Sequence, residues 1–252
     1  MRLPVRFFAP AALLAALVLS SAGPAWAQSS SSQAGQTVQQ PAPSTPGTTA
    51  NGTYIAINPL ANVRYDNKWD LSVGMAYHHM KAGPTLLQGS NLGGYDATGT
   101  MWFAKRWGVQ ASTRGFFGTS GAGINSANAG GGPIKGPFIA EYFFTGGAVW
   151  LGPHNQHGAI LAHFLAGGVY GQFESSLLGQ SPSVVAFYNN QIAPAAIVGG
   201  SFDLNRSAKW VFRITPDAVM TRYGINYYPN TRQFDVNFGI SVGAEYKFSK
   251  KR

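Results

Sequence analysis

The residues of this chain that could do chemistry are few and widely spaced. Charged residues make up 11% of the 252 residues, against about 25% in typical globular domains. Since an unpaired charge in a narrow interior is costly, we expect charges on inward-facing positions to pair with one another. The residues in question fall on the polar positions of alternating polar and apolar stretches, and they are Asp70, Asp96, Arg114, Glu141, His163, Arg213, Asp217, Asp235 and Glu245.

From this set we predict a network that fixes the interior of the fold. Arg114 and Glu141 lie on consecutive predicted strands, and Arg213 and Asp217 lie on one strand. We favour a structural interpretation, in which paired charges fill the interior, and the alternative is a gate or selectivity element of a small pore. The predicted network comprises Asp96, Arg114, Glu141, His163, Arg213 and Asp217.

The histidines are the other chemically suggestive side chains. The spacing His154-x-x-His157 could hold a metal ion, but the chain contains no Cys and no acidic residue lies near the pair. We therefore interpret it as a chance surface pair and predict no metal site. His163 is interpreted as a polar residue of the interior.

Motifs that would indicate an enzyme are missing from the sequence. It has no G-x-S-x-G elbow, no phosphate-binding loop and no H-E-x-x-H pair. His78 or His163 with a serine could in principle supply nucleophilic catalysis, but no spacing fixes such a triad. We predict no catalytic residues and no cofactor.

Alternation of period two is the main signal for the elements that carry these residues. From Phe234 to Phe248 every second residue is apolar, a run far longer than the usual strand of about five or six residues. Pro194 weakens one of the other stretches. Eight such stretches are predicted as strands, at 69–79, 95–103, 109–117, 137–144, 158–171, 192–204, 210–223 and 234–248.

The connections between these stretches alternate in length. Short links join the second stretch to the third and the sixth to the seventh, residues 147–157 form a moderate link, and the others are longer. After the N-terminal segment the sequence contains no run of about 18 apolar residues, so no helical membrane span is predicted there. The layout predicts an all-β fold, an eight-stranded antiparallel up-and-down transmembrane β-barrel with short periplasmic turns and long outer loops. The alternative is a soluble periplasmic β-sandwich or lipocalin-like barrel, whose outer face would carry many charges.

The N-terminal part of the chain predicts export. Arg2 and Arg6 precede an apolar stretch, and an A-x-A site ends at Ala27, so residues 1–27 are predicted to be a cleaved signal peptide. An uncleaved anchor helix is the alternative. Residues 28–53 are rich in Ser, Gln, Pro and Thr and carry no charge, which predicts a disordered linker. Residues 54–252 then form the barrel, and the predicted location is the cell outer membrane.

Several stretches resemble a known family. The segments "NKWDLSVGMAYHHM", "GYDATGTMWFAKRWGVQASTRGFFG", "HGAILAHFLAGG" and "GGSFDLNRSAKWVFRITPDAVMTRYG" are similar to small outer-membrane barrels related to the OmpA transmembrane domain, over residues 60–248. No peptidoglycan-binding domain follows. The resemblance implies that Tyr246 and Phe248 serve as the C-terminal signal for the barrel-assembly machinery. The chain departs from the family pattern here, because "SKKR" follows Phe248.

The resemblance and the composition together set the expected function. We expect a structural or surface-interaction role, such as membrane integrity, adhesion or ligand contact through the outer loops at 118–136 and 172–191. The expected partners are outer-membrane lipids, lipopolysaccharide and the barrel-assembly machinery, with no nucleic acid, and we expect a monomer. The alternatives are a narrow pore or small-solute channel and, ranked last, a lipid A-modifying barrel enzyme.

Overall fold

The computed structural model describes residues 58–86, 88–121, 136–226 and 232–248. The predicted signal peptide, the predicted linker, most of the 118–136 loop and the 249–252 tail lie outside the described residues. Among the described residues, no helix is long and apolar enough to cross a membrane.

Eight long strands close into a single barrel. Each strand pairs antiparallel with the next strand in the chain, and β8 pairs with β1. The prediction of an all-β, eight-stranded, antiparallel up-and-down barrel is confirmed. A single helical turn, α1 (Pro182–Val185), lies between β5 and β6. The strands are β1 (Trp69–Lys81), β2 (Gly89–Trp102), β3 (Trp107–Thr119), β4 (Phe138–His154), β5 (Gly158–Gln172), β6 (Gln191–Asn205), β7 (Trp210–Thr221) and β8 (Asp235–Lys247).

The two faces of the barrel wall are inverted relative to a soluble barrel. On β1, Leu71, Val73 and Met75 point outward and are 47%, 56% and 81% exposed, whereas Asp70 and His78 are buried inside. Successive side chains of a strand point to opposite faces, so the alternation of the sequence becomes an apolar exterior and a polar interior. Contact of such an apolar exterior with water is unfavourable, whereas its contact with hydrocarbon is favourable.

Aromatic side chains lie on the outer face near both ends of the barrel. Tyr77 follows Trp69 by eight positions on the same face. For a strand tilted by about 40°, these eight residues span roughly 20 Å along the barrel axis. This span is close to the apolar band of about 25 Å in outer-membrane barrels. We call the aromatic residues at the end with the short turns the lower aromatic ring; they are Trp69, Phe103, Trp107, Trp150, Trp210, Tyr246 and Phe248.

Two predicted strand ends differ from the structure by more than two residues. β2 begins at Gly89 instead of residue 95, and β4 continues to His154, so the predicted link 147–157 is a turn of residues 155–157. Glycines hid both extensions, because they break the apolar alternation without breaking the strand. At Gly94 a Cβ atom would lie 1.7 Å from the carbonyl oxygen of Gly115 on β3, so this close approach of two backbones requires glycine.

Candidate functional site: the filled lumen of the barrel

The interior of the barrel is the only part of the described chain in which ionisable side chains converge in buried groups. An eight-stranded barrel is just wide enough for side chains to fill it. The six residues of the predicted network are all buried there. They do not form one network, because the structure divides them among three clusters stacked along the barrel axis.

Arg114 anchors the first group, near the middle of the lumen. Its Nη1 atom is 2.5 Å from Oδ2 of Asp217, and its Nε atom is 3.4 Å from Oδ1 of Asp96. Asp96 is the cross-strand neighbour of Arg114 on β2, whereas Asp217 lies on β7. The other oxygen of Asp217 is 2.9 Å from Nε2 of His163 on β5. We call these four residues the central cluster, and it ties four strands across the lumen.

Hydroxyl groups satisfy the remaining acceptors of Asp96. Thr98 and Ser112 donate to its Oδ1 atom over 2.9 and 3.3 Å, and Ser241 on β8 donates to Oδ2 over 2.8 Å. These serines and threonines are the polar residues of the alternating pattern. Their short side chains fill the space beside Arg114 and supply the donors that a buried carboxylate needs.

A lower cluster lies between the central cluster and the short-turn end. Nε and Nη2 of Arg213 each donate to an oxygen of Asp203 over 2.7 Å, in a bidentate pair, and the guanidinium also pairs with Glu245. Nζ of Lys247 donates to Asn205 over 3.1 Å. The lower cluster comprises Asp70, Asp203, Arg213, Glu245 and Lys247.

Asp70 joins the lower cluster to the barrel wall. Nε1 of Trp102 donates to its Oδ2 atom over 2.5 Å, and Asn67 donates to Oδ1. The indole therefore has a partner although it points into the barrel, as buried tryptophans require.

Tyr65, which precedes β1, covers the lower cluster at the short-turn end of the barrel. Its hydroxyl donates to the carbonyl of Asn155 over 3.0 Å and accepts from Nδ2 of Asn205 over 2.7 Å. Its ring centroid is 4.1 Å from Nζ of Lys247, which is a close cation–π contact. Between Tyr65 and the lower cluster remains a cavity of about 10 Å³, room for one water molecule at most.

The upper cluster lies toward the long-loop end. Nδ1 of His78 is 2.8 Å from Oε2 of Glu141, and the hydroxyl of Tyr223 donates to Oε1 over 2.8 Å. The imidazole packs between Phe116 and Phe143, at centroid distances of 4.9 and 5.9 Å.

Above the upper cluster the lumen is apolar, which the sequence did not lead us to expect. Near this end apolar residues occupy inward and outward positions alike. We call this group the apolar cap. Among its members are Met80, Leu92, Phe116, Ile139, Phe143, Leu165, Val169, Phe173, Phe187, Tyr188, Ile197 and Val219.

The connection between β5 and β6 folds over the lumen and completes the apolar cap. Oε1 of Glu174 accepts from the backbone N–H of Asn190 over 2.9 Å, and Oδ1 of Asn190 accepts from the N–H of Phe173 over 2.6 Å. Tyr188 donates its N–H to the carbonyl of Ala82 over 3.0 Å. Its hydroxyl donates to Oδ2 of Asp235 over 2.6 Å, so the connection is fastened to both sides of the barrel mouth.

Burial raises the pKa of the Tyr188 hydroxyl above its ordinary value, and the adjacent carboxylate of Asp235 raises it further. The pKa of Tyr223 is raised by burial and by Glu141. Both hydroxyls therefore remain protonated donors at neutral pH.

The pairing of the predicted residues follows distance across the lumen and not order along the chain. Arg114 pairs with Asp96 and Asp217, and Glu141 pairs with His78. Arg213 pairs with Asp203 and Glu245, although Asp217 lies on its own strand. Arg213 does not pair with Asp217, because residues four apart on a strand lie too far apart along the axis.

Four members of these clusters were not among the inward-facing residues named from the sequence: His78, Asp203, Lys247 and Tyr223. Asp203 has the same strand parity as the buried Ser201, a signal that Pro194 and two glycines obscured. Tyr223 follows the end of β7, where alternation no longer applies.

The remaining residues singled out in the sequence lie outside the lumen. His154 ends β4, and its Nδ1 atom is 2.9 Å from the carbonyl oxygen of Gly152. In the described part of the chain, no group of three His, Cys, Asp or Glu residues could hold a metal ion. Tyr246 packs against Trp210 and Phe248, each at 5.1 Å between centroids, on the outer face where the assembly signal was predicted.

Comparison with known proteins gives matches among solved structures. No family model and no curated protein matches the chain. Ail, the attachment invasion locus protein of Yersinia pestis, solved in complex with the heparin analogue sucrose octasulfate, is similar to 73% of this chain over 99% of its own, with 20% identity and a TM-score of 0.43. OprG from Pseudomonas aeruginosa matches 75% of this chain over 99% of its own, with 13% identity and a TM-score of 0.47. The E. coli outer membrane protein W matches 74% of this chain over 100% of its own, with 16% identity and a TM-score of 0.37. At such identities the likeness concerns the fold alone.

Proposed function

We propose that this chain is an outer-membrane β-barrel protein with a closed lumen, and that it acts through structure and surface contact. The apolar exterior supports the membrane location. It carries Met75 at 81% exposure and Phe164 at 56%, on a wall whose eight strands all pair within one closed sheet. Few charged residues lie on the exterior of the described barrel, and they lie near its two ends. This distribution fits a band of hydrocarbon between two polar interfaces.

Closure of the lumen is the observation that carries the functional part of the proposal. Tyr65 covers one end, three ionic clusters cross the interior, and the apolar cap with the β5–β6 connection fills the other end. Each layer is held by contacts between strands on different sides of the barrel. A conducting path for ions would need a continuous file of water. The burial of Phe116 and Phe143, which are 1% and 0% exposed, supports a lumen without one.

We propose that the connections at the long-loop end make the contacts with other molecules. In the connection between β5 and β6, Leu178 is 80% exposed and Val184 is 64% exposed, on a segment held rigid by Glu174 and Asn190. A rigid exposed apolar surface favours contact with another molecule. We propose outer-membrane lipids and lipopolysaccharide as its surroundings, a monomeric state, and insertion by the barrel-assembly machinery, with Tyr246 and Phe248 as its signal.

We propose no catalytic role. His78 and His163, the two histidines considered for nucleophilic catalysis, face Glu141 and Asp217. Both lie inside the closed lumen, where a lipid substrate has no access.

Gel mobility of the protein extracted from outer membranes tests the proposal. A closed barrel should migrate differently before and after boiling, and the folded form should float with the outer-membrane fraction. A chain that stays in the periplasmic extract, or whose mobility does not change on heating, would contradict the membrane barrel. Swelling of vesicles in small sugars, measured on the same inserted protein, tests the closed lumen separately.

A further inference from the structure

The end of the barrel with the short turns carries an excess of exposed positive charge. In the described part of the chain, the exposed carboxylate at this end is that of Asp66. The opposing cations outnumber it six to one. They are Arg64, Lys68, Lys105, Arg106, Arg206 and Lys209, all exposed.

Beside this rim lies a cavity that no part of the proposed function uses. Its volume is about 270 Å³, and it opens between the segment before β1, the turn between β6 and β7, and the end of β8. Asn62, Arg64 and Asp66 line it from the segment before β1, Lys209 lines it from the turn between β6 and β7, and Lys247 and Phe248 line it at the end of β8. We call this the rim cavity.

The cations of the rim cavity differ in whether they contact other described side chains. Lys247 is buried, donates to Asn205 and lies against Tyr65. Arg64 and Lys209 are exposed, and neither forms an ion pair with a described residue. Two free cations against the single carboxylate of Asp66 leave a site that attracts anions. Arginine and lysine together suit a phosphate group, since the guanidinium binds two oxygens and the ammonium adds a point charge.

The position of the rim cavity selects the source of that phosphate. Phe248 lines the cavity and is 43% exposed, and its ring packs at 5.1 Å from Tyr246 in the lower aromatic ring. Aromatic rings of outer-membrane barrels mark the level at which headgroups begin. A ligand in this cavity therefore has its charged part at headgroup level and its apolar part beside Phe248.

We propose that the rim cavity binds the phosphate of an anionic phospholipid in the leaflet that faces the short turns. Arg64 and Lys209 would hold the phosphate oxygens, and Phe248 would contact the first carbons of an acyl chain. This inference rests on the proposed membrane location. It adds a defined lipid site to the general contact of a barrel with its bilayer.

Native mass spectrometry of the purified full-length protein tests the proposal with two lipids of equal chain length, phosphatidylglycerol and phosphatidylcholine. The wild type should retain one phosphatidylglycerol in preference to phosphatidylcholine by roughly 25-fold, since each of the two cations contributes about fivefold to binding an anionic headgroup. The double variant Arg64→Gln/Lys209→Gln should lose this preference. Lys105→Gln/Arg106→Gln is the matched control, because it removes the same two charges at the same end but outside the cavity, and it should keep the preference.

Three results would overturn the headgroup site. Equal losses in both double variants would show diffuse attraction by the rim. Equal retention of both lipids by the wild type would show that charge is not recognised. Displacement of phosphatidylglycerol by excess inorganic phosphate, with no contribution from the acyl chains, would assign the cavity to free phosphate. Heat-modifiable mobility of each variant is read first, so a failure of the membrane barrel is separated from a failure of the lipid site.

Discussion

At the scale of single residues, the central cluster depends on Arg114. It is the one guanidinium in that cluster, and it faces the carboxylates of Asp96 and Asp217. Removing one partner from a buried ion pair leaves an uncompensated charge, whereas removing the whole group can be neutral. The distinction can be measured because both carboxylates have isosteric amides.

We predict that Arg114→Met lowers the free energy of unfolding by about 3–5 kcal/mol. The triple variant Arg114→Met/Asp96→Asn/Asp217→Asn should recover more than half of this loss, because no buried carboxylate is then left without a cation. Urea unfolding in vesicles, followed by tryptophan fluorescence, measures both. Arg106→Met, at an exposed position, is the control and should change stability by less than about 0.5 kcal/mol. A triple variant as unstable as the single one would contradict the cluster energetics.

Tyr188 leads to a prediction about alkaline stability. Burial and Asp235 raise its pKa above the value in the unfolded chain, so the native state holds this proton more tightly. The resulting stabilisation is fully present below the unfolded pKa of about 10 and is lost as the pH rises through the native pKa. The free energy of unfolding should therefore decrease as the pH rises above about 10.

Comparison of the wild type with Tyr188→Phe isolates this contribution. The variant lacks the titrating hydroxyl, so its stability should fall less steeply with pH, although it should be about 1 kcal/mol less stable at neutral pH through the lost hydrogen bond. Tyr95→Phe, at an exposed position on β2, is the control with one hydroxyl fewer. Parallel pH curves for the wild type and Tyr188→Phe would contradict the role given to this tyrosine.

Which residues enter the lumen could be predicted from strand parity, but their partners could not. Parity places Arg213 and Asp217 inside, yet it says nothing of the stagger between strands that brings Arg213 to Glu245. Lys247 was read as part of the polar row of β8 without a role. Its contact with Tyr65 depends on a segment that has no alternation.

At the scale of elements, close contact between β2 and β3 requires a glycine on the inner face. A Cβ atom on Gly94 would lie 1.7 Å from the backbone oxygen of Gly115, whereas one on Gly93 would meet nothing within 4 Å. These neighbours on β2 provide a matched pair of substitutions.

We predict that Gly94→Ala lowers the unfolding free energy by about 1–3 kcal/mol, because the two strands must separate to admit the methyl group. Gly93→Ala should leave it unchanged or raise it slightly, since alanine reduces the freedom of the unfolded chain. Folded yield on unboiled gels and the urea midpoint measure both variants. Equal effects of the two substitutions would show that the close approach of β2 and β3 does not limit stability.

The same glycines limited what could be predicted about the strands. The number, order and antiparallel pairing of the strands followed from alternation and loop lengths. The start of β2 and the end of β4 did not, because Gly93, Gly94 and Gly146 to Gly147 look like loop residues. They are strand residues, and at Gly94 and Gly147 the backbones of paired strands approach closely.

At the scale of the whole molecule, one physical requirement explains both the exterior and the interior. A wall in hydrocarbon must be apolar outside, so the polar residues of the alternating pattern face inward, where they must satisfy one another. The central cluster meets this requirement by joining β2, β3, β5 and β7. The apolar cap meets it with apolar side chains, and the Tyr188 hydroxyl there donates to Asp235. Both solutions fill the lumen.

Single-channel recording in planar bilayers tests the closed lumen most directly. The wild type, inserted in a heat-modifiable form, should give no reproducible conductance steps, under conditions in which a porin added to the same bilayer does. Lys105→Gln, a change outside the lumen, should also be silent. Reproducible steps from the wild type, altered in size by Arg213→Ala or Glu141→Ala and unaltered by Lys105→Gln, would contradict the account and make the barrel a pore.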